Sequence, residues 1–321
     1  MPNRRLLFGN NYGGSRGVYP PVRANLALQL DYRRSVDSTT AAFAGAGTLT
    51  IATTAVTFTT SQDGAIVPGD TIITNGHAYT IGARSSGTAW AVSPSGTEAA
   101  LSTFTITKQA PRVSAWHDLS GNAADWSKAT GTNQPLLTAT GLLFDGIDDR
   151  LDGGTPALAL GQNVPGLTIF TVKSITGLGV AGNILQLRIG SGSTSRVVIG
   201  PASSNKWQFQ AVRLDADVLA TLAGGNTMTT ARDVVTHLLD YGNTAATRWI
   251  NGTQDVTNAA FLTAGNSSNT ASTSAFIGSL GGSGFLAGTL QAILIYQRVL
   301  SSSERHAVER WLGQQFTVAV A

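Results

Sequence analysis

The run Gly288-Thr289-Leu290-Gln291-Ala292-Ile293-Leu294-Ile295-Tyr296, followed by Leu300-Ser301-Ser302-Ser303-Glu304-Arg305, decides how this chain is read. The first part is apolar, ends in aliphatic and aromatic residues, and reads as a closing strand. The second is a capping box, in which the Ser301 hydroxyl and the Glu304 carboxylate each satisfy a free backbone N–H at a helix start. Val308, Trp311, Leu312 and Phe316 then mark one apolar face. The expectation is one short C-terminal helix packed on the edge of a β-structure.

Composition extends that reading to the whole chain. Of 321 residues, 12% are charged and 37 are Gly, and the charge is about half the usual share. Gly, Thr, Ser, Ala and Asn replace it, which suits short strands joined by tight turns. Glu occurs only at 98, 304 and 309. There is no Cys, so disulfide staples, thiolate metal sites and thiol nucleophiles are excluded. The start, Met1-Pro2-Asn3-Arg4-Arg5-Leu6-Leu7-Phe8, is too short in apolar residues for an export signal. No run approaches the roughly 20 apolar residues of a membrane span. A soluble chain without an export signal or a membrane partner is expected.

Organisation follows from pattern. Residues 1–24 are rich in Arg, Gly, Asn and Tyr and have no hydrophobic period; they read as an extended basic arm. Six Arg against Asp31 make residues 1–34 strongly positive, while the whole chain is only +3. Leu26, Leu28, Leu30 and Tyr32 alternate on one face of a strand. Residues 45–109 then carry short strand candidates between turn signals, among them a type I′ hairpin at Asn75-Gly76. They read as an inserted small β-barrel. Strand candidates resume from Val113, including Leu167–Ser174, Ile184–Ile189, Trp207–Leu214, Thr236–Tyr241 and Thr247–Asn251. Residues 25–44 and 110–321 form the second unit of this division.

Trp116-His117-Asp118-Leu119-Ser120-Gly121-Asn122, Phe144-Asp145-Gly146-Ile147-Asp148-Asp149, Arg248-Trp249-Ile250-Asn251-Gly252-Thr253 and the closing run together resemble the concanavalin A-like (laminin-G-like) jelly-roll family, as found in tailed-bacteriophage structural proteins. The resemblance implies an all-β sandwich with an inserted small β-barrel and one short C-terminal helix. It also implies that the Phe144–Asp149 motif is a turn with Phe144 and Leu151 pointing inward. The fold usually binds surfaces, glycans or partner proteins, and only some members are enzymes.

Chemistry is sparse. A glycosidase on such a fold needs two carboxylates across one sheet, and no strand candidate carries such a pair; Asp215 and Asp217 read as turn solvation. His77, His117, His237 and His306 are scattered, and no Gly-x-Ser-x-Gly elbow precedes a helix. No catalytic residue and no cofactor is expected. No metal is expected to be required; Asp145, Asp148 and Asp149, beside Asp152, are the carboxylates that would suit Ca²⁺. Trp126, Trp207 and Trp249 are the candidate glycan contacts, Trp126 being the one expected to be exposed. Arg4, Arg5, Arg16, Tyr19 and Arg23 are the candidate docking residues of the arm, for a protein partner rather than nucleic acid.

The functional expectation is a non-enzymatic virion structural protein, a capsid decoration or compact tail appendage. It would be anchored by its arm to other virion proteins and would form a homo-oligomer. The alternatives are a receptor-binding tail-fibre lectin for a host surface glycan and, behind it, a polysaccharide depolymerase.

Overall fold

In the computed structural model, residues 19–39, 42–44, 47–61, 66, 69–107, 111–176, 181–190, 195–202, 204–222 and 224–321 are described. Arg4, Arg5 and Arg16 lie outside them. The described strands form two antiparallel sheets, one of seventeen strands and one of six, and the described residues are all-β apart from short helical turns and one C-terminal helix.

The large sheet is one ladder folded back on itself. Thr253–Asn258, Ala245–Ile250, Asp233–Asp240, Gly166–Ile175 and Ala287–Tyr296 follow one another across it. Ala287–Tyr296 then divides its free edge. Leu26–Asp31 takes the C-terminal half and Gly141–Asp145 the N-terminal half. Through Leu136–Thr138 and Arg112–Trp116 the ladder turns into a second layer of Trp126–Ser127, Leu151–Gly153, Ser274–Ile277, Leu185–Arg188, Ser195–Pro201, Trp207–Ala211 and Ala220–Leu222. The two layers face each other across one core that includes Ile169, Val235 and Ile293 from the first and Leu185, Ile199, Phe209 and Ile277 from the second. This is the jelly-roll sandwich. Phe144 and Leu151 are wholly buried in it.

The helix Ser302–Phe316 begins with the expected capping box. It lies over the face of the first layer rather than on an edge. Val308, Leu312 and Phe316 pack on Phe170, Val172, Val234, Leu294 and Tyr296, which point away from the main core. Strand Gly166–Ile175 is therefore buried on both sides, which is why it reads as a continuous apolar run. Leu26 also joins this outer cluster, whereas Leu28 and Leu30 enter the main core. An irregularity in pairing between Leu26 and Leu28 breaks the expected one-face alternation.

The six-stranded sheet runs in the order Ala42–Ala44, Thr105–Thr107, Thr71–Thr74, His77–Ser86, Ala89–Leu101, Leu49–Phe58. It has its own core of Ile51, Phe58, Ile72, Trp90 and Ile106 among others. Asn75 and Gly76 turn its hairpin with φ of 48° and 78°, as a type I′ turn requires. Leu49–Phe58 is one continuous strand of ten residues.

Candidate ligand-binding face and acidic turn

Strand register assembles a polar surface on the outer face of the second layer. Leu151, Ile277, Leu185, Ile199, Phe209 and Leu222 pair in sequence and face the core. Side chains alternate along a strand, so the adjoining row Asp152, Phe276, Gln186, Val198, Gln210 and Thr221 points away from the core, although Gln186 and Val198 in its middle are buried. The guanidinium of Arg150 lies 5.2 Å from the centre of the Phe276 ring and pairs with Asp152 at 2.9 Å. The Gln210 amide donates to the Thr221 hydroxyl at 3.0 Å. Gln186 donates to Ser195 at 2.7 Å, while its carbonyl oxygen is buried without a hydrogen-bond partner among the described residues.

At one end of this face is a cleft of about 320 Å³, where Ser204, Lys206, Gln208 and Thr221 meet the edge of Trp207. Lys206 is fixed by the carbonyl of Gly225 at 2.7 Å. Amide, hydroxyl and ammonium groups beside an apolar wall can hydrogen-bond a polyhydroxylated ligand.

None of the three Trp candidates offers a free ring. Trp126 is 0% and Trp207 1% exposed. Trp126 pairs directly with Trp116 across the strands, and both belong to the main core, which overturns the expected exposure. Trp207 has the Lys173 amino group 4.4 Å from its ring centre. Trp249 is partly exposed, but Arg305 stacks on it at 4.1 Å. In the arm, Tyr19 is 47% exposed with Arg23 over its ring at 4.2 Å. The chain behind it is pinned: Tyr296 donates its hydroxyl to the Val22 carbonyl at 2.8 Å and Arg298 donates to the Ala24 carbonyl at 3.2 Å.

Asp145, Asp148 and Asp149 bring ligand atoms within 4.8 Å of one another. Much of that capacity is committed. Asp145 Oδ1 accepts from the N–H of Ile147 at 2.8 Å and of Asp148 at 3.4 Å, and Asp149 Oδ2 accepts from the N–H of Asp145 at 3.0 Å. The buried Arg112 reaches Asp149 Oδ1 at 3.3 Å. Burial first, and the Asp145 charge second, push the Asp149 carboxyl well above the usual range. The acids cap the turn, as the motif implies. They fit a hard cation poorly, because one of the three already meets a guanidinium.

Several of the remaining carboxylates, and His77, are engaged as well. Glu98 accepts from His77 at 2.8 Å, Tyr79 at 2.8 Å and Asn75 at 3.0 Å. Glu304 takes Arg298 on both oxygens, at 2.9 and 2.6 Å. That pairing, with the Ser301 N–H, holds its carboxyl at about 2. Glu309 accepts from Arg305 at 2.6 Å and from Thr236 at 2.7 Å. Asp215 pairs with Arg196 at 2.7 Å, and Asp217 caps the Leu214 N–H at 2.9 Å. No described helix is long and apolar enough to cross a membrane.

No family model matches the chain, and no curated protein matches it either. Several solved structures are similar in part. A Trypanosoma rangeli sialidase aligns at 18% identity over 63% of this chain and 31% of its own, with a TM-score of 0.45. The CBM40 of a Ruminococcus gnavus IT-sialidase, bound to alpha2,3 sialyllactose, aligns at 15% identity over 55% of this chain and 95% of its own, with a TM-score of 0.41. A botulinum neurotoxin type C structure aligns at 12% identity over 61% and 48%, with a TM-score of 0.45. The chain thus spans less than half the length of the sialidase and the toxin chain.

Proposed function

We propose that this chain is a non-enzymatic bacteriophage virion structural protein, a capsid decoration or compact tail appendage. Its basic N-terminal arm docks on a neighbouring virion protein, and the sandwich and the inserted β-unit are displayed outward. The pinning of Val22 and Ala24 to the last strand and its exit carries the reading. It gives the Arg-rich segment a fixed point of departure beside the C-terminal helix, so a docked arm would orient the whole body. The structural engagement of Glu98, Glu304 and Glu309 agrees with a role outside hydrolysis.

The test is a binding comparison on purified virions between the full chain and a variant lacking residues 1–18, which keeps Val22 and Ala24 bonded to Tyr296 and Arg298. Loss of binding by the shortened chain supports the anchor. Equal binding by both overturns it.

A second reading, glycan binding, is favoured by the Lys206–Gln208–Thr221 cleft. It predicts saturable binding to a glycan array that Gln208→Ala with Thr221→Ala abolishes while the melting temperature is kept. Glycan binding that survives both changes would place the sugar elsewhere.

A further inference from the structure

Lys173 has no exposed surface. Its amino group lies 2.6 Å from Asp233 Oδ2 and 4.4 Å from the centre of the Trp207 ring. Lys173 and Asp233 are direct cross-strand partners on Gly166–Ile175 and Asp233–Asp240. The carboxylate serves a second group too: Asp233 Oδ1 accepts from the side-chain amide nitrogen of Asn251 at 2.9 Å. The carbonyl oxygen of that same carboxamide accepts from the backbone N–H of Val234 at 2.8 Å. Asn251 is itself held in place, because its own N–H donates to the Val234 carbonyl at 2.8 Å and it opens the turn Asn251–Gly252 with φ of 51° and 84°.

An amine, a carboxylate and a polarised carboxamide therefore stand in series across neighbouring strands. Burial lowers the pKa of Lys173 against the opposing pull of Asp233, so the neutral amine that attack requires is easier to reach than on an exposed lysine. The Val234 N–H sits where negative charge would gather on the carboxamide oxygen during attack.

We propose that Lys173, Asp233 and Asn251 form a self-cross-linking site that joins Lys173 Nζ to Asn251 Cγ by an amide bond. The amine nitrogen attacks Cγ and the Nζ–Cγ bond forms. Asp233 Oδ2 takes a proton from the attacking nitrogen, and the carboxyl passes that same proton on to Nδ2. The Cγ–Nδ2 bond then breaks and ammonia leaves. Amine and carboxamide become secondary amide and ammonia, with no oxidant, metal or cofactor. The bond ties Gly166–Ile175 to the turn after Ala245–Ile250, over Asp233–Asp240, in a chain that has no Cys to staple it. The inference is independent of the proposed virion role.

Mass spectrometry of the denatured full chain, with peptide mapping, is the test. The expected result is a mass one ammonia below that of the sequence and a branched peptide joining Lys173 to Asn251. Lys173→Met and Asn251→Ala should each return to their own sequence mass. An unchanged mass in the folded parent protein overturns the proposal. So does loss of ammonia with the Lys173 peptide unjoined, which marks a succinimide at Asn251–Gly252. Loss of water with Lys173 joined to Asp233 overturns it as well. Asp233→Asn is expected to leave the chain unlinked; a cross-link in that variant removes Asp233 from the mechanism.

Discussion

Arg248 and Asp255 meet at 2.6 Å with neither side chain exposed. The guanidinium also donates to the Trp207 carbonyl at 2.9 Å and the Gly224 carbonyl at 2.7 Å, so one buried cation ties the first layer to the second beside the cleft. Gly225 is required there, because a Cβ would press on both charged groups. Removing one partner of such a pair leaves a buried charge uncompensated, at about 3–5 kcal/mol. Asp255→Ala should therefore lower the urea midpoint sharply. Arg248→Met combined with Asp255→Leu should recover much of the loss, since an apolar pair of similar volume carries no desolvation cost. A midpoint unchanged in Asp255→Ala would show that the pair contributes little.

His117 predicts an alkaline weakening of the fold. Its Nδ1 is 3.0 Å from Asp125 Oδ2 and its Nε2 is 2.9 Å from Asp37 Oδ2. Both contacts are donated hydrogen bonds only when both nitrogens carry protons. Burial pulls its pKa down, but the bonds to Asp125 and Asp37 outweigh burial and the net shift is upward. A raised folded pKa gives stability that is complete below the unfolded value and lost as pH rises through the folded one. The melting temperature of the parent should fall as pH rises above the ordinary imidazole value of about 6.5, and His117→Gln should flatten that decline. Parallel curves for the two proteins would refute the assignment.

His237 works in the opposite direction. It is wholly buried, neither ring nitrogen has a hydrogen-bond partner among the described residues, and its ring lies 4.9 Å from Phe209. Burial first and the charge of Arg248, its cross-strand partner, second push its pKa well below the usual imidazole value. The unfolded chain takes up the proton at higher pH than the folded one, so stability is complete above about 6.5 and declines as pH falls towards the folded value. His237→Leu should hold its melting temperature better than the parent on the acid side. An acid limb of the same slope in both would mean that other groups set it.

What could be read from the sequence was carried by local signals. The apolar run ending at Tyr296, the Ser301–Glu304 cap and the Asn75–Gly76 turn each announce themselves within a few residues, and the structure has all three. Trp126 is hard to read because its neighbours are turn formers, while the groups that bury it come from strands farther along the chain such as Leu151–Gly153. Strands as short as Trp126–Ser127 and Leu151–Gly153 hold too few residues to show a period. The outward row through Phe276, Gln186 and Gln210 exists only through register between strands far apart in the chain, so no local pattern could announce it. Lys173 lies within the strand candidate Leu167–Ser174; that this strand is covered on both faces depends on the helix Ser302–Phe316.

The small sheet depends on one close approach. The Tyr79 ring lies over Gly96, where an added Cβ would stand 2.5 Å from Tyr79 Cε1. That ring position lets the hydroxyl reach Glu98 at 2.8 Å. Bonds from His77 first and Tyr79 second keep the Glu98 carboxyl below its usual range. Gly96→Ala must displace the ring, since backbone holds Gly96 against Thr53, and overpacking of this kind costs about 1–3 kcal/mol. The loss should be local, because this sheet has its own core. Hydrogen exchange is expected to quicken across Thr71–Leu101 in the variant and to stay unchanged in Gly166–Ile175 and Ala287–Tyr296. Uniform quickening over both sheets would mean that they unfold as one unit, and no change anywhere would mean that Tyr79 moves aside without cost.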